Sequence, residues 1–533
     1  MAVNNKLDPQ AVEAYKVYRQ LGPNGQRDFT ALDLNPDLLP TDSQPAGALG
    51  AQPEPEPEPD SDPILLTELG NSVRFARAYR GKALHVKAWG WLAWNGKKWD
   101  IDETGQVANL GKRIIRALWD ESRAALGEAE SMNRRLEQAA ESEQESLKAQ
   151  YTAAQKRADM LQKWALQSQT AQKINAMLTL AESDLPARVP DFDANPWALN
   201  CENGVLDLKT GQLRPHDPSE RITKIASPAY DQAAECPAWL KFLARVFNND
   251  QELIDYIQRA VGYSLTGLTQ EQVFFFLYGS GRNGKSTFTN LIAALLGDYF
   301  HKAQSQTFML RSGQGTGPSE GVAALVGARF VSASELARGQ RLDEQLVKDL
   351  TGGGDLVPAR RLYKSEFTFK PALKLWFYGN EKPQVNGTDE GIWRRVRLVP
   401  FTVTIPEDEV DPALPEKLAA EMPGILAWAV RGCLDWQRQG LGMPAAIKNA
   451  TQEYRQEEDV IAQFLADNCI VGPQYKATAS DLHTAFTKWG GGWSMKALGK
   501  ELTRRGFTRD RSAIGVIYKG LGLVAPADSQ AGD

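Results

Sequence analysis

Only four cysteines and four histidines occur in 533 residues, and neither type clusters. Cys201, Cys236, Cys433 and Cys469 are widely scattered with no C-x-x-C pair, which argues against a zinc site or a disulfide framework and fits a reducing cytoplasm. The N-terminal stretch MAVNNKLDPQAVEAY has no apolar signal region, and no apolar run approaches the length needed to span a bilayer, so no membrane partner is expected. A strong charge of either sign is also missing. The net charge of −5 neither supports nor excludes nucleic acid, and it hides local asymmetry. At this length one compact core is not enough, and three or four domains are expected.

Residues 279–286 read GSGRNGKS, a full G-x-x-x-x-G-K-[ST] phosphate loop. The preceding run Val273–Tyr278 is apolar and aromatic enough for a buried strand, and FTNLIAALLG after it has apolar residues at helical spacing. Gly279, Gly281 and Gly284 let the backbone turn its N–H groups inward around phosphate oxygens. The helix starting near Lys285 adds the positive end of its dipole. Lys285 is expected to reach the β and γ phosphates of ATP and the Ser286 hydroxyl to ligate Mg²⁺, with Ser280, Arg282, Asn283 and Thr287 completing the nucleotide lining. A structural glycine turn is the bland alternative.

Residues 1–62 lack apolar periodicity and end in QPEPEPEPDSDP, an extended and self-repelling stretch read as a disordered leader. Residues 63–235 then look globular and mostly helical. HVKAWGWLAWNGKKWDID predicts a hairpin turning at Asn95-Gly96, residues 107–183 predict helices with a solvated charged face, and NCENGVLDLKTGQLRPH predicts a second hairpin. Asp207, Lys209 and His216 in that hairpin are read as turn scaffold rather than catalysts. The core is expected over 236–405, a helical connector over 406–455, a small basic unit over 456–524 and a tail over 525–533.

Hydrolysis needs an acid, a polar group that orients water and a positive charge at the γ-phosphate. Each follows downstream in order. ARFVSASEL (328–336) is a strand ending in Glu335, a base or Mg²⁺-associated carboxylate. ALKLWFYGN (372–380) is a strand ending in Asn380, and GIWRRVRLVPF (391–401) supplies Arg394 and Arg395. Singly these are weak signals, since a strand ending in Glu or Asn is usually an edge or a turn.

Together GSGRNGKS, FVSASE, the block LTGGGDLVPARRLYKSEFTFKPALKLWFYGN and GIWRRVRLVPF resemble superfamily 3 helicases, closest to the phage and plasmid primase-helicases related to the poxvirus primase-helicase. The likeness extends over roughly residues 70–520. It implies a multi-domain α/β protein with an AAA+-like ATPase core, a helicase-associated N-terminal domain, a homohexameric ring and 3′→5′ translocation on DNA. Gly279, Gly284, Lys285 and Ser286 match the first motif, Glu335 the second and Asn380 the third. The Arg394-Arg395 pair falls at the arginine-finger position, with Arg395 preferred because it immediately precedes the next apolar strand. A channel hairpin falls at GGGDLVPARRLYKSEF, with Arg360, Arg361 and Lys364 as phosphate contacts. The second motif carries Ser334-Glu335 where many relatives have two acids. Close relatives often carry a primase domain, and the proline-rich residues 1–62 are too short for one, so a helicase without a primase is expected, working with a separate primase or polymerase in the cytoplasm of a bacterial host.

Residues 471–524 hold nine Lys and Arg against three Asp and Glu, a net +6 in an acidic chain. ASDLHTAFTKW and SMKALGKELTRRGF predict two helices and IGVIYKGLGL a strand pair, which suggests a winged helix whose second helix offers Lys496, Lys500, Arg504 and Arg505 to a phosphate backbone. A basic cap that never touches DNA is the alternative. The leading functional expectation is an ATP-dependent replicative helicase of a phage, plasmid or integrated element, acting on single-stranded and forked DNA. An origin-binding initiator that melts DNA is the second. A small-molecule kinase does not account for the block from Asn380 to Arg395 or for the basic C-terminus.

Overall fold

The computed structural model describes residues 65–310, 319–334, 340–360, 366–385, 389–512 and 515–524, all within the compact unit Ile64–Asp533. The leader and the tail lie outside the described residues. No helix among those described is long and apolar enough to cross a membrane.

Five parallel strands form the central sheet: β1 (Phe274–Tyr278), β2 (Phe300–Lys302), β3 (Phe330–Ser334), β4 (Lys374–Gly379) and β5 (Val396–Pro400). Their spatial order is β5-β1-β4-β3-β2. The runs FFFLY and KLWFYG are apolar without alternation because both faces of the sheet are covered. Phe275, Leu277, Phe330, Trp376 and Val399 enter one core, and Phe274, Phe276, Val331, Phe377 and Leu398 the other. On the first face Phe275 stacks on Trp376 at 4.1 Å between centroids, and Trp376 on Phe330 at 5.3 Å.

The hairpin at Ala83–Val86, Gly90–Trp94 and Trp99–Ile101 turns at Asn95-Gly96, where Asn95 Oδ1 accepts the N–H groups of Lys97 and Lys98. Two long helices follow, Gln106–Glu137 and Glu141–Gln167, packed along small buried residues such as Ala125, Ala129 and Ala158. The second predicted hairpin is present as Ala198–Cys201, Gly204–Asp207 and Gln212–Arg214. Its Asp207 accepts the Lys209 N–H in a turn, and its His216 ring meets Asn200 Oδ1 at 2.9 Å, consistent with scaffold roles. Leu199, Cys201, Leu206 and Leu208 from this hairpin share a core with the sheet and with helices Pro237–Val246, Gln251–Leu265 and Met422–Gln439. Packing therefore runs across the position near 235 where the sequence suggests a domain boundary.

Two buried cations, Arg329 and Lys374, sit at the start of β3 and β4. They donate to main-chain carbonyls rather than to carboxylates: Arg329 to Leu265 and Ala198, Lys374 to Thr266, Leu268 and Ala372. The carbonyls of Leu265, Thr266 and Leu268 lie at or just beyond the C-terminal end of helix Gln251–Leu265, whose dipole is negative there. The end of the sheet opposite the glycine loop is thus closed by these two side chains and the carbonyls they meet.

Candidate functional site

The parallel register brings the carboxyl ends of the central strands to one edge. Tyr278 lies opposite Gly379 and Pro400, and Tyr378 opposite Ser334. Three chain exits therefore meet there: the glycine loop after β1, Asn380 after β4 and the segment after Ser334. Glu335 itself falls outside the described residues. Crevices beyond the carboxyl ends of parallel strands are where open α/β sheets bind ligands.

The loop from Gly279 to Gly284 is held by its neighbours. A Cβ on Gly279 would meet the Phe401 carbonyl oxygen at 2.1 Å, and one on Gly284 the Val246 side chain at 2.6 Å. Gly284 also has φ +88, the left-handed value that lets the loop turn into helix Lys285–Leu296. Asn283 Nδ2 donates to the Phe401 carbonyl at 3.1 Å, and the Ile405 N–H to the Arg282 carbonyl at 2.8 Å. The stretch Phe401–Ile405, which the sequence offered only as the end of a strand, therefore clamps the loop from outside. The inward face of the helix, Phe288, Ile292 and Leu295, is buried, while Ser286 at its start is exposed. The N-cap is Gly284, which has no side chain to cap the helix, so among the described residues its first N–H groups are left to face an anion.

Lys285 is 5% exposed, and its ammonium donates to Gly279 O at 2.7 Å, Asn283 Oδ1 at 2.9 Å and Asn380 Oδ1 at 3.2 Å. Burial holds its pKa below the usual lysine value. All three partners are neutral oxygens, so the positive charge is oriented but not cancelled. This contact joins two segments, the glycine loop and the end of β4, that are far apart in sequence. Arg282, Ser280 and Gly281 are exposed on the outer loop and Thr287 is half-buried. Arg282 pairs loosely with Glu407 at 3.6 Å on the surface.

The two arginines, of which the sequence favours Arg395, are packed differently. The Arg395 guanidinium is buried and donates to Thr351 Oγ1 at 3.2 Å and to the Gly391 carbonyl at 2.7 Å, while its own carbonyl accepts the Phe274 N–H. It is already a sheet position, and its side chain turns under the short helix Glu390–Trp393. Arg394, one residue earlier, is exposed, and its side chain makes no hydrogen bond or ion pair among the described residues. Arg395→Ala takes one hydrogen bond from the buried Thr351 hydroxyl, which still donates to the Val347 carbonyl at 2.7 Å, and one from the Gly391 carbonyl, so it is expected to destabilise the fold by about 1–3 kcal/mol, read as a lower denaturation midpoint with unchanged slope.

Between β3 and β4 an antiparallel hairpin pairs Val357–Arg360 with Glu366–Phe369. Arg360 is exposed at the end of its first strand. Arg361 and Lys364 lie outside the described residues. The C-terminal unit has helices Val460–Asn468, Ala479–Trp489 and Met495–Arg504 and a three-stranded antiparallel sheet of Cys469–Thr478, Thr508–Ser512 and Gly515–Leu523. Lys496 and Lys500 are exposed on the third helix. Arg504 and Arg505 differ from the free pair expected: both meet the buried Glu501 carboxylate, and Arg505 also meets Asp459 at 2.5 Å. Arg505 is thereby committed to an internal ion-pair network. Phe242, Val246 and Phe401 were missed from sequence because they read as ordinary core. Asn283 was legible only as loop lining.

Comparison with known proteins places the same segments together. Residues 72–248 match the family described as D5 N terminal like, and residues 277–395 a family of unknown function, DUF5906. The chain is 27% identical over 327 residues to "Putative helicase L207/L206" of Acanthamoeba polyphaga mimivirus, covering 57% of this chain and 34% of that protein. It is 27% identical over 305 residues to "Putative helicase 022R" of Frog virus 3, covering 54% and 30%. Against "Putative primase C962R" of African swine fever virus it is 22% identical over 327 residues, covering 56% and 34%. The chain thus spans about a third of the length of the curated relatives it matches. Among solved structures, the apo C-terminal region of NrS-1 overlays with a TM-score of 0.37 and 13% identity, over 60% of this chain and 92% of that one, a likeness too loose to bear on the fold. Over a little more than half of its length the chain is thus similar to viral proteins named putative helicase and putative primase.

Proposed function

We propose that this protein is an ATP-dependent DNA helicase of the superfamily 3 kind, with an AAA+-like core that hydrolyses ATP at the edge where β1 and β4 end. The observation that carries the reading is the contact of Lys285 with Asn380 across the glycine loop. A triphosphate fits this site: the helix has a glycine at its N-cap, Gly281 at φ +42 has open space around it, and among the described residues the lysine has no carboxylate to leave. Mg²⁺ bound between the phosphates would neutralise charge developing on them, and Ser286 is the exposed hydroxyl placed to hold it. Loop N–H groups bind the phosphates, Lys285 leaves the Gly279 carbonyl to meet the β and γ oxygens, and Asn380, once released, orients the attacking water. Glu335 is the base or metal partner in this reading, and Arg394 of a neighbouring copy the finger.

The partner is DNA, as the kinship and the two basic elements suggest. The order helix, strand, helix, helix, strand, strand in residues 460–523 supports a winged-helix reading, with Lys496 and Lys500 toward the phosphates. The test is unwinding of duplexes with 3′ or 5′ single-stranded tails by the wild type and by Lys285→Ala. Strand separation by the wild type alone supports a helicase. ATP turnover with duplex melting at one sequence only, and no unwinding of tailed forks, favours the initiator.

The hairpin carries its own expectation. Arg361 and Lys364 fall in sequence between its two strands, and Arg360 at the end of the first is exposed. Gripping one phosphate backbone is sequence-independent and salt-sensitive. Lys364→Ala is expected to leave basal turnover nearly intact, to slow fork unwinding and to lower the salt slope of single-strand binding by about 0.7. Unwinding at the wild-type rate in moderate salt would move the DNA track elsewhere.

A further inference from the structure

The residues that follow Asn380 are gripped by a helix from beyond the sheet. Lys382 lies 4.6 Å from the Tyr278 ring centroid and 5.3 Å from that of Tyr454, and its ammonium meets Glu457 at 2.6 Å. Tyr278 is the last residue of β1, directly before the glycine loop. The Tyr454 hydroxyl donates to the Pro383 carbonyl, and Glu458 accepts the Val385 N–H at 3.1 Å. Tyr454, Glu457 and Glu458 come from helix Ala445–Glu457 and its cap. The same helix holds the approach to Arg394: Arg455 pairs with Glu390, the Tyr454 ring meets Trp393 edge-on at 5.1 Å, and Thr451 accepts the Leu398 N–H. The next residue, Asp459, caps helix Val460–Asn468 and binds Arg505. Three consecutive carboxylates, Glu457, Glu458 and Asp459, thus join the loop after Asn380 to the basic C-terminal unit.

We propose that Lys382 is a positioning residue for ATP hydrolysis, and that Glu457 to Asp459 carry the engagement of DNA by the C-terminal unit to Asn380. The inference rests on the ATPase reading above. Lys382 stands two residues from Asn380, and its side chain is 14% exposed, wedged between two rings and a carboxylate. A displacement of this wedge moves an amide whose contact with Lys285 is already long at 3.2 Å. Misplacement on the order of 1 Å is enough to cost about a hundredfold in rate. The C-terminal unit can act on the wedge because Arg505, on its third helix, is tied to the residue next to Glu458. DNA phosphates drawing on this helix pull on the same carboxylates.

The test uses the full chain, measuring ATP turnover with and without single-stranded DNA and affinity for a fluorescent ATP analogue. Lys382→Ala is expected to lower kcat about tenfold or more while KM and analogue affinity stay within about threefold. Lys382→Arg is expected to restore most of the rate, since a guanidinium also stacks on aromatic rings and pairs with a carboxylate. A merely structural lysine would lower the melting temperature without this split or this rescue. Glu457→Gln alters a side chain that is 58% exposed and so tests the link even if Lys382→Ala fails to fold. It is expected to fold, to lower DNA-free turnover less than Lys382→Ala does, and to lose about half of the stimulation by DNA. Wild-type kcat in folded Lys382→Ala, or wild-type DNA stimulation in Glu457→Gln, overturns the proposal. Absence of turnover in the wild type itself overturns the ATPase reading instead, before any variant is compared.

Discussion

Lys285→Ala is expected to abolish ATP turnover, by a factor of at least about 10²–10³, while the protein stays folded. The ammonium is oriented by three neutral oxygens and by burial, with no carboxylate to cancel it among the described residues. It is therefore a preorganised charge in a partly dry site, the arrangement that stabilises charge developing on a transferred phosphoryl group. For the same reason its removal leaves no orphaned opposite charge, and the cost to stability is small compared with that of breaking an ion pair. A thermal melt separates the two effects. Lys285→Ala with an unchanged melt and a substantial fraction of the wild-type turnover would sink the assignment of the site.

The second large effect is expected at Arg394. A finger reaching a neighbour's nucleotide contributes about 10³–10⁵ in rate, and it must be exposed and uncommitted in its own subunit. Arg394 meets both conditions and Arg395 neither. Arg394→Ala is expected to bind ATP like the wild type, to keep its denaturation midpoint and to hydrolyse ATP at a small fraction of the normal rate. Equal mixing with Lys285→Ala subunits is expected to restore turnover, because about one interface in four then joins an intact loop to an intact arginine. If co-assembled mixtures stay inactive, the arginine acts within its own subunit. If Arg394→Ala alone turns over normally, it is not the finger.

The two arginines show where sequence reading stops. Their position after β4 and before β5 is legible from the order of apolar runs. Which of them turns outward is decided by register, because the Arg395 carbonyl pairs with Phe274 and its side chain falls beneath the helix that precedes it. The same holds at the other end of the chain. Net positive charge over 471–524 is plain in the sequence, but Arg505 is consumed by Glu501 and Asp459, a partner that lies before the unit's first strand. Hairpins were the most legible elements, because Asn-Gly and Thr-Gly turns and alternating residues are local signals. The helical hairpin over 106–167 was equally open to reading, since strand signals are absent there and good helix formers dominate.

By itself the sequence determined the place of the glycine loop between a strand and a helix, the order of the polar residues that follow it and the strands that carry them. All of these are set by residue type and by periods a few residues long, which a linear text displays. Only the tertiary structure decided that β1 lies between β4 and β5, and so that Lys285 touches Asn380. It alone turned Arg395 and Arg505 inward and placed Lys382 between the rings of Tyr278 and Tyr454. The reason is physical: a charged side chain goes where its hydrogen bonds can be satisfied, and the atoms that satisfy these come from strands and helices far away along the chain.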